Sequence, residues 1–167
     1  MELAEGIEVA KKLGLTIHDR SFGSGSYRNL EGVRPGLVTV AELAIRISEH
    51  DGTVIGGGGL RTVEQAKQNV KNGTGILNSL HLKQPEDGMG HAIDLIPYLG
   101  GPSWELGPCK AMAKAVKVAS AILSVPIRQG CDWNMNGKFG ESREWDWPHF
   151  EHPIPYHRAA AQAEMLR

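Results

Sequence analysis

The segment between Pro108 and Pro126 restricts the possible folds of this chain more than any other part of the sequence. Its apolar residues recur at the three- and four-residue spacing of a helix that buries one face. They are Met112, Ala115, Val116, Ala119, Ile122 and Leu123. Proline suits the first turn of a helix but cannot continue one, so the two prolines mark its limits. The sequence therefore predicts an amphipathic helix here, with a buried apolar stripe.

Three shorter helices are predicted before this one. Apolar spacing indicates the first from Leu3 to Leu13 and the second from Pro35 to Ser48. Thr62 and Gln65 match a capping box, which predicts a polar helix that continues to about Gly73. Between the first two, the letters SFGSGS predict a Gly/Ser-rich loop.

The remaining segments are typical of short strands and loops. A long loop is expected between Gly73 and Gly90, and the letters AIDLIPY after it predict a strand closed by Pro97. Other β-like runs are TVIGGGG at 53–59, Ile127 to Trp133, and Trp147 to Glu151. Because strands and helices mix without a βαβ rhythm, we expect an α+β fold with a small, largely antiparallel sheet flanked by helices, in a single domain.

Charge and cysteine content exclude several classes of protein. The formal net charge of −1 gives no electrostatic reason to expect binding to nucleic acid or to an anionic membrane. Apolar runs stay short of the ~18 residues of a membrane span, and the N-terminus has no signal-peptide pattern. We therefore expect synthesis in the cytoplasm without membrane insertion. Cys109 and Cys131 form no CxxC pair, which favours two free thiols.

Three residues form the best candidate for a metal site. Among seven histidines, His81 lies in the long loop and His149 in the last predicted strand, while Asp94 lies in the strand between them. Two imidazoles and one carboxylate suit zinc and leave a fourth position open, as in catalytic sites. Strand alternation turns His91 away from Asp94.

A hydrolytic zinc site also needs a proton acceptor and a cation that can grip a carboxylate or an oxyanion. Asp146 is the candidate acceptor, although a solvated turn aspartate is the structural alternative. An ideal strand would point Asp146 away from His149, so the chain must bend near Pro148. Arg61, after the glycine run, is the candidate cation, with a surface arginine at a helix start as its alternative.

Four segments of the chain occur in an order that is specific to one family. They are GGLRT (Gly58 to Thr62), SLH (Ser79 to His81), GHAIDL (Gly90 to Leu95) and DWPHFE (Asp146 to Glu151). They resemble the D-alanyl-D-alanine carboxypeptidase and L-alanyl-D-glutamate endopeptidase family of zinc peptidases, to which many phage endolysins belong. The letters YRNLEGVRPGL, from Tyr27 to Leu37, are similar to the opening of the phage-type members.

The resemblance implies a role for each matching position. It places one zinc ion on His81, Asp94 and His149, the catalytic carboxylate on Asp146 and the substrate-gripping arginine on Arg61. Ser79 matches the serine before the first ligand, which supports the loop. The chain departs from the pattern by Leu60 in place of a tyrosine, by Cys131 in place of a glycine, and by a longer segment between His81 and Asp94.

The resemblance implies a zinc-dependent peptidase of peptidoglycan stem peptides, of the phage endolysin type. It would cleave the L-Ala–D-Glu bond, act on the cell wall as a monomer after release from the host cytoplasm, and cause host cell lysis. The alternatives are a D-Ala-D-Ala carboxypeptidase or dipeptidase, a non-catalytic wall-binding module, and a structural zinc domain. The expected organisation is an N-terminal helix and loop at 1–26, a catalytic domain at 27–152 and a helical tail at 153–167.

Overall fold

The computed structural model describes residues 1–153. The predicted C-terminal helical tail therefore lies, apart from its first residue, outside the described residues. The elements in chain order are α1 (Leu3–Lys12), α2 (Ser24–Leu30), α3 (Pro35–Ile47), β1 (Asp51–Thr53), α4 (Val63–Lys71), β2 (Ala92–Asp94), β3 (Ile96–Tyr98), α5 (Leu106–Leu123), β4 (Arg128–Gly130) and β5 (Asp146–Glu151).

The α+β class is confirmed, and all paired strands within residues 1–153 run antiparallel. The strands form two small sheets rather than one. The first pairs β1 with β3, and the second has the order β2–β5–β4. None of the helices in this part of the chain is both long enough and apolar enough to cross a lipid bilayer.

Helix α5 lies at the centre of the core, as its sequence predicts. It packs against α1, α3 and β5. The six residues of the predicted apolar stripe are all buried, with Ala119 fully inaccessible. The helix ends at Leu123, where Ser124 takes a left-handed conformation with φ of 55° two residues before Pro126. The predicted helices at Leu3–Leu13 and Pro35–Ser48, and the capping box of Thr62 with Gln65, are likewise confirmed.

Four local predictions were wrong, the last of them at the glycine run after β1. The expected Gly/Ser loop is helical from Ser24 onward, because the chain turns into α2 after the extended Gly23. The expected strand AIDLIPY is divided between two sheets: Ala92–Asp94 pairs with β5, whereas Ile96–Tyr98 pairs with β1. Leu95 lies between them and donates its N–H to the carbonyl of Pro148 in β5 at 2.9 Å. Pro97 does not close the strand but lies within β3.

The glycine run after β1 forms a turn rather than a strand. Gly57 has a φ of +78°, and the N–H of Gly58 bonds to the carbonyl of Ile55 at 2.9 Å. At Gly59 a Cβ atom would lie only 1.9 Å from the carbonyl oxygen of Asn29. Only glycine therefore allows the α2 backbone to approach here, which accounts for the run physically.

Candidate active site

Strand pairing brings Asp94 and His149 side by side. The two residues are cross-strand partners in the register of β2 and β5, so their side chains share one face of the sheet. Nδ1 of His149 lies 3.0 Å from Oδ1 of Asp94. The same alternation turns His91 to the opposite face, where Nε2 of its ring lies 2.9 Å from a carboxylate oxygen of Asp87.

His81 reaches this pair from the long loop. The loop is fixed where it passes the sheet, because the carbonyl of His81 accepts the N–H of Arg61 at 2.8 Å. Ser79 tightens the turn by accepting the N–H of His81 on its Oγ at 3.2 Å. Nε2 of His81 then lies 3.3 Å from Oδ1 of Asp94 and 3.2 Å from Nδ1 of His149.

The extra residues between His81 and Asp94 fold back on themselves instead of displacing the loop. The N–H of Gln84 bonds to the carbonyl of Met89 at 2.9 Å, and the N–H of Gly88 bonds to the carbonyl of Gln84 at 2.8 Å. Asp87, within this turn, forms an ion pair with Arg34 at 3.2 Å. The inserted segment is thus anchored to the body of the protein.

The three side chains predicted as ligands, His81, Asp94 and His149, form a group that could bind a metal ion. Their ligand atoms all lie within 4.8 Å of one another. Nδ1 of His81 lies 2.8 Å from the carbonyl oxygen of Gly59, and Nε2 of His149 lies 2.8 Å from a carboxylate oxygen of Glu151. Both partners only accept hydrogen bonds, so these outer nitrogens carry the protons. The inner nitrogens, which face Asp94, are therefore the ones that can bind a metal ion once they are free of protons, which is the arrangement of metal-binding histidines.

The pKa shifts of His149 and Asp94 also indicate that this group favours a positive charge between its side chains. Burial opposes the charged form of His149, but hydrogen bonds to Asp94 and Glu151 outweigh it and raise the pKa to about 10. Burial likewise opposes the charged form of Asp94, yet hydrogen bonds to His149 and His81 hold its pKa well below the usual value. The group therefore attracts a cation, and the donor set of two nitrogens and one oxygen fits zinc.

Arg61 lies directly beside this group. Its Nη2 is 3.6 Å from Oδ2 of Asp94, the oxygen that faces away from the histidines. Nε and Nη2 also donate to the carbonyl of Gly57 at 3.2 and 3.0 Å. The guanidinium is thus held in one orientation at the wall of a cavity.

Asp146 lies at the start of β5, where the strand is irregular. Its partner in β4 is Gly130, although the preceding pair is Gln129 with Phe150, so the register shifts between them. The bend that Asp146 requires near Pro148 is therefore present. A Cβ on Gly130 would lie 2.3 Å from the carbonyl oxygen of Asp146, so only glycine permits this approach. Burial raises the pKa of the Asp146 carboxyl.

Two cavities meet at these residues. The first, here called the tryptophan cavity, has a volume of about 490 Å³ and includes Trp104 and Trp145 in its wall. The second, the histidine cavity, has a volume of about 870 Å³ and is lined by His81, His149 and Glu151 among others. Arg61, Asp94 and Asp146 belong to both walls. A ligand that spans both cavities must pass all three side chains.

Sequence analysis gave no role to several residues around His149. Glu151 binds the outer nitrogen of the ring and is itself held by Arg128, whose Nε donates at 3.0 Å. Trp133 lies against the same imidazole, with ring centroids 5.4 Å apart. Strand alternation already places Glu151 on the face of His149, so that signal could have identified it.

Neither cysteine belongs to the metal-binding group. Cys109 and Cys131 are both buried and free, as the sequence predicts. Burial raises the pKa of the Cys131 thiol to about 12, which keeps it protonated. Cys131, which stands where the family pattern has a glycine, is fully buried in the core.

Comparisons with known proteins agree with the residue pattern. The family model described as phage L-alanyl-D-glutamate peptidase matches residues 20–152. The L-alanyl-D-glutamate peptidase of Escherichia phage T5 is 37% identical over 124 residues, which cover 71% of this chain and 85% of that protein. The crystal structure of the Serratia marcescens L-Ala D-Glu endopeptidase ChiX superposes with a TM-score of 0.63 at 29% identity, covering 83% of this chain and 95% of the other. The chain therefore belongs to the phage L-alanyl-D-glutamate peptidase family.

Proposed function

We propose that this protein is a zinc-dependent endopeptidase that hydrolyses the L-Ala–D-Glu bond in the stem peptides of bacterial peptidoglycan. One zinc ion per monomer is held by His81, Asp94 and His149. The physiological role is that of a phage endolysin, which is made in the host cytoplasm and lyses the host after release to the wall. Family membership supports the reaction, and the geometry of the metal-binding group supports the cofactor.

The orientation of the two imidazoles carries this proposal. Each outer nitrogen is committed to an acceptor, Gly59 or Glu151, which leaves both inner lone pairs for the metal. Three protein ligands leave a coordination position open. Bound zinc supplies Lewis-acid polarisation of a carbonyl and activates water near neutral pH.

Asp146 is the proposed general base. It lies where the two cavities meet, so it faces the position of a scissile bond that spans them. Its raised pKa improves its ability to accept a proton from the attacking water. The protonated carboxyl can then donate to the leaving amine of D-Glu, which completes the proton transfer.

Arg61 is the proposed anion-binding group. Because Gly57 and Asp94 fix its guanidinium, the planar fork is oriented before substrate binds. It can stabilise a substrate carboxylate or the negative charge that develops on the attacked carbonyl oxygen. Ser79 acts indirectly by keeping the His81 turn closed.

The deciding experiment is digestion of purified peptidoglycan by the zinc-loaded protein, with fragments identified by mass. We expect new L-Ala carboxyl ends and new D-Glu amino ends, and loss of both after treatment with a chelator. Asp146→Asn is the control, since it should retain zinc without producing fragments. Release of D-Ala alone would instead support the carboxypeptidase, and wall binding without cleavage would support a non-catalytic module.

A further inference from the structure

Two exposed tryptophans lie on the wall of one cavity. The side chains of Trp104 and Trp145 are 62% and 76% exposed, although tryptophan is usually well buried. They lie far apart in sequence, before α5 and before β5, yet both line the tryptophan cavity. Exposed aromatic surface at a cavity is typical of a ligand-binding position.

The rest of that wall is neutral except where the two cavities meet. Helix α4 contributes the amide side chains of Gln65, Gln68 and Asn69. The charged groups are Arg61, Asp94 and Asp146, which all belong to the junction with the histidine cavity. The outer part of the tryptophan cavity therefore combines indole rings with amides, which suits a neutral ligand with apolar faces and hydrogen-bonding groups.

The substrate of the proposed function has one half with this chemistry. On the amino side of the scissile bond, L-Ala is joined through a lactyl group to N-acetylmuramic acid, a neutral sugar ring that carries an acetamido group. On the carboxyl side, D-Glu and the diamino acid that follows it carry charges. The neutral half matches the tryptophan cavity, while the histidine cavity, which is lined by the charged side chains of Glu86, Arg128 and Glu151, remains for the charged half.

We propose that Trp104 and Trp145 form a subsite for the N-acetylmuramoyl sugar attached to L-Ala. The inference rests on the proposed function and extends it to the glycan. The indole rings pack against the sugar, and the α4 amides bind its polar groups. Trp145 directly precedes Asp146, so a sugar held on Trp145 also places the L-Ala carbonyl beside the general base.

The first test compares two substrates, N-acetylmuramoyl-L-Ala-D-Glu and N-acetyl-L-Ala-D-Glu. The zinc-loaded parent should prefer the first in kcat/KM, chiefly through a lower KM. Trp104→Ala and Trp145→Ala should each reduce kcat/KM for the muramoyl substrate roughly tenfold, equivalent to ~1.4 kcal/mol and so to one aromatic contact. Their effect on the acetyl substrate should stay within about twofold, as for an ordinary surface substitution.

Two further variants keep this comparison decisive. Trp145→Phe should recover part of the preference, because an aromatic face remains. Leu106→Ala is the matched control, since Leu106 is 52% exposed close to Trp104 but does not line the cavity. Equal losses on both substrates, or a parent that cleaves both substrates with equal kcat/KM, would overturn the subsite.

A binding measurement separates this inference from the proposed reaction. Calorimetric titration of Asp146→Asn with N-acetylmuramoyl-L-Ala should show saturable binding that the additional Trp145→Ala change weakens. N-acetyl-L-Ala should bind far less. A parent that cleaves neither substrate while this fragment still binds would refute the endopeptidase alone. Absence of fragment binding would refute the subsite, whatever the cleavage result.

Discussion

Replacement of Glu151 by glutamine tests how His149 is prepared for the metal. One carboxylate oxygen of Glu151 accepts the outer N–H of His149 at 2.8 Å, and the other accepts from Arg128. Glutamine keeps the size of the side chain but has only one acceptor oxygen. If that oxygen binds Arg128, the amide NH2 must face Nε2 of His149. The imidazole then favours the tautomer with its proton on Nδ1, and the lone pair toward Asp94 is lost.

The expected loss of zinc affinity follows from the loss of this hydrogen bond to His149. Loss of such an outer partner typically lowers metal affinity about 10–100-fold, which equals ~1.4–2.7 kcal/mol at fixed free zinc. Ligand binding stabilises the folded state by the same amount. For a domain of this size, ~1 kcal/mol shifts Tm by roughly 2–4 °C. The increase in Tm on zinc addition should therefore be smaller in Glu151→Gln by roughly 3–10 °C.

Zinc affinity is measured by competition with a chromophoric chelator, and Tm is recorded for each protein with and without zinc. Only the difference between the two Tm values is compared, because the glutamine also destabilises the metal-free protein. Glu141→Gln is the matched control, since its exposed carboxylate bonds to Asn136 and lies outside both cavities. Equal zinc affinity for Glu151→Gln and the parent would refute the role of Glu151.

Four further outcomes are expected. Asp146→Asn should retain zinc while the rate of wall cleavage falls about 10²–10⁴-fold, as expected for loss of a general base. Asp94→Asn should lose the zinc itself, because it removes a ligand. Measuring zinc content and cleavage rate for both variants distinguishes the two roles. Arg61→Lys should fold and bind zinc but lose much of its turnover in a wall-clearing assay, since a point charge does not replace the guanidinium fork. Gly59→Ala should lower the free energy of unfolding by about 1–3 kcal/mol in a urea titration, because its Cβ would collide with a backbone carbonyl. Cys131 should resist thiol reagents until the protein unfolds, since burial keeps the thiol protonated.

The helices could be predicted because their signals are local. The apolar spacing of α5 and the capping box at Thr62 depend only on residues a few positions apart, and both are confirmed. The strands were harder, because each is short and its partner is distant in sequence. Nothing local shows that the apolar run must divide at Leu95 and that β3 must pair with Asp51–Thr53 in another sheet.

Alternation along the strands adds two placements to what the sequence motifs predict about the site. It turns His91 away from Asp94, and it puts Glu151, two residues after His149, on the same face as that ring; both placements are found. It could not place Asp146, whose position depends on a register shift against β4. Such a shift depends on the contact with Gly130, which is remote in sequence.

The glycine run explains why the site residues converge although they come from distant segments. Its successive carbonyls each hold one of them: Gly57 accepts from Arg61, Gly58 accepts the N–H of Asp94 at 2.7 Å, and Gly59 binds the ring of His81. A Cβ at Gly59 would collide with the carbonyl oxygen of Asn29, one at Gly58 would crowd the carbonyl of Ile55 at 3.0 Å, and Gly57 has a positive φ, so glycine at these positions allows the three carbonyls to point at one site. The backbone of this turn therefore fixes the positions of Arg61, Asp94 and His81 relative to one another.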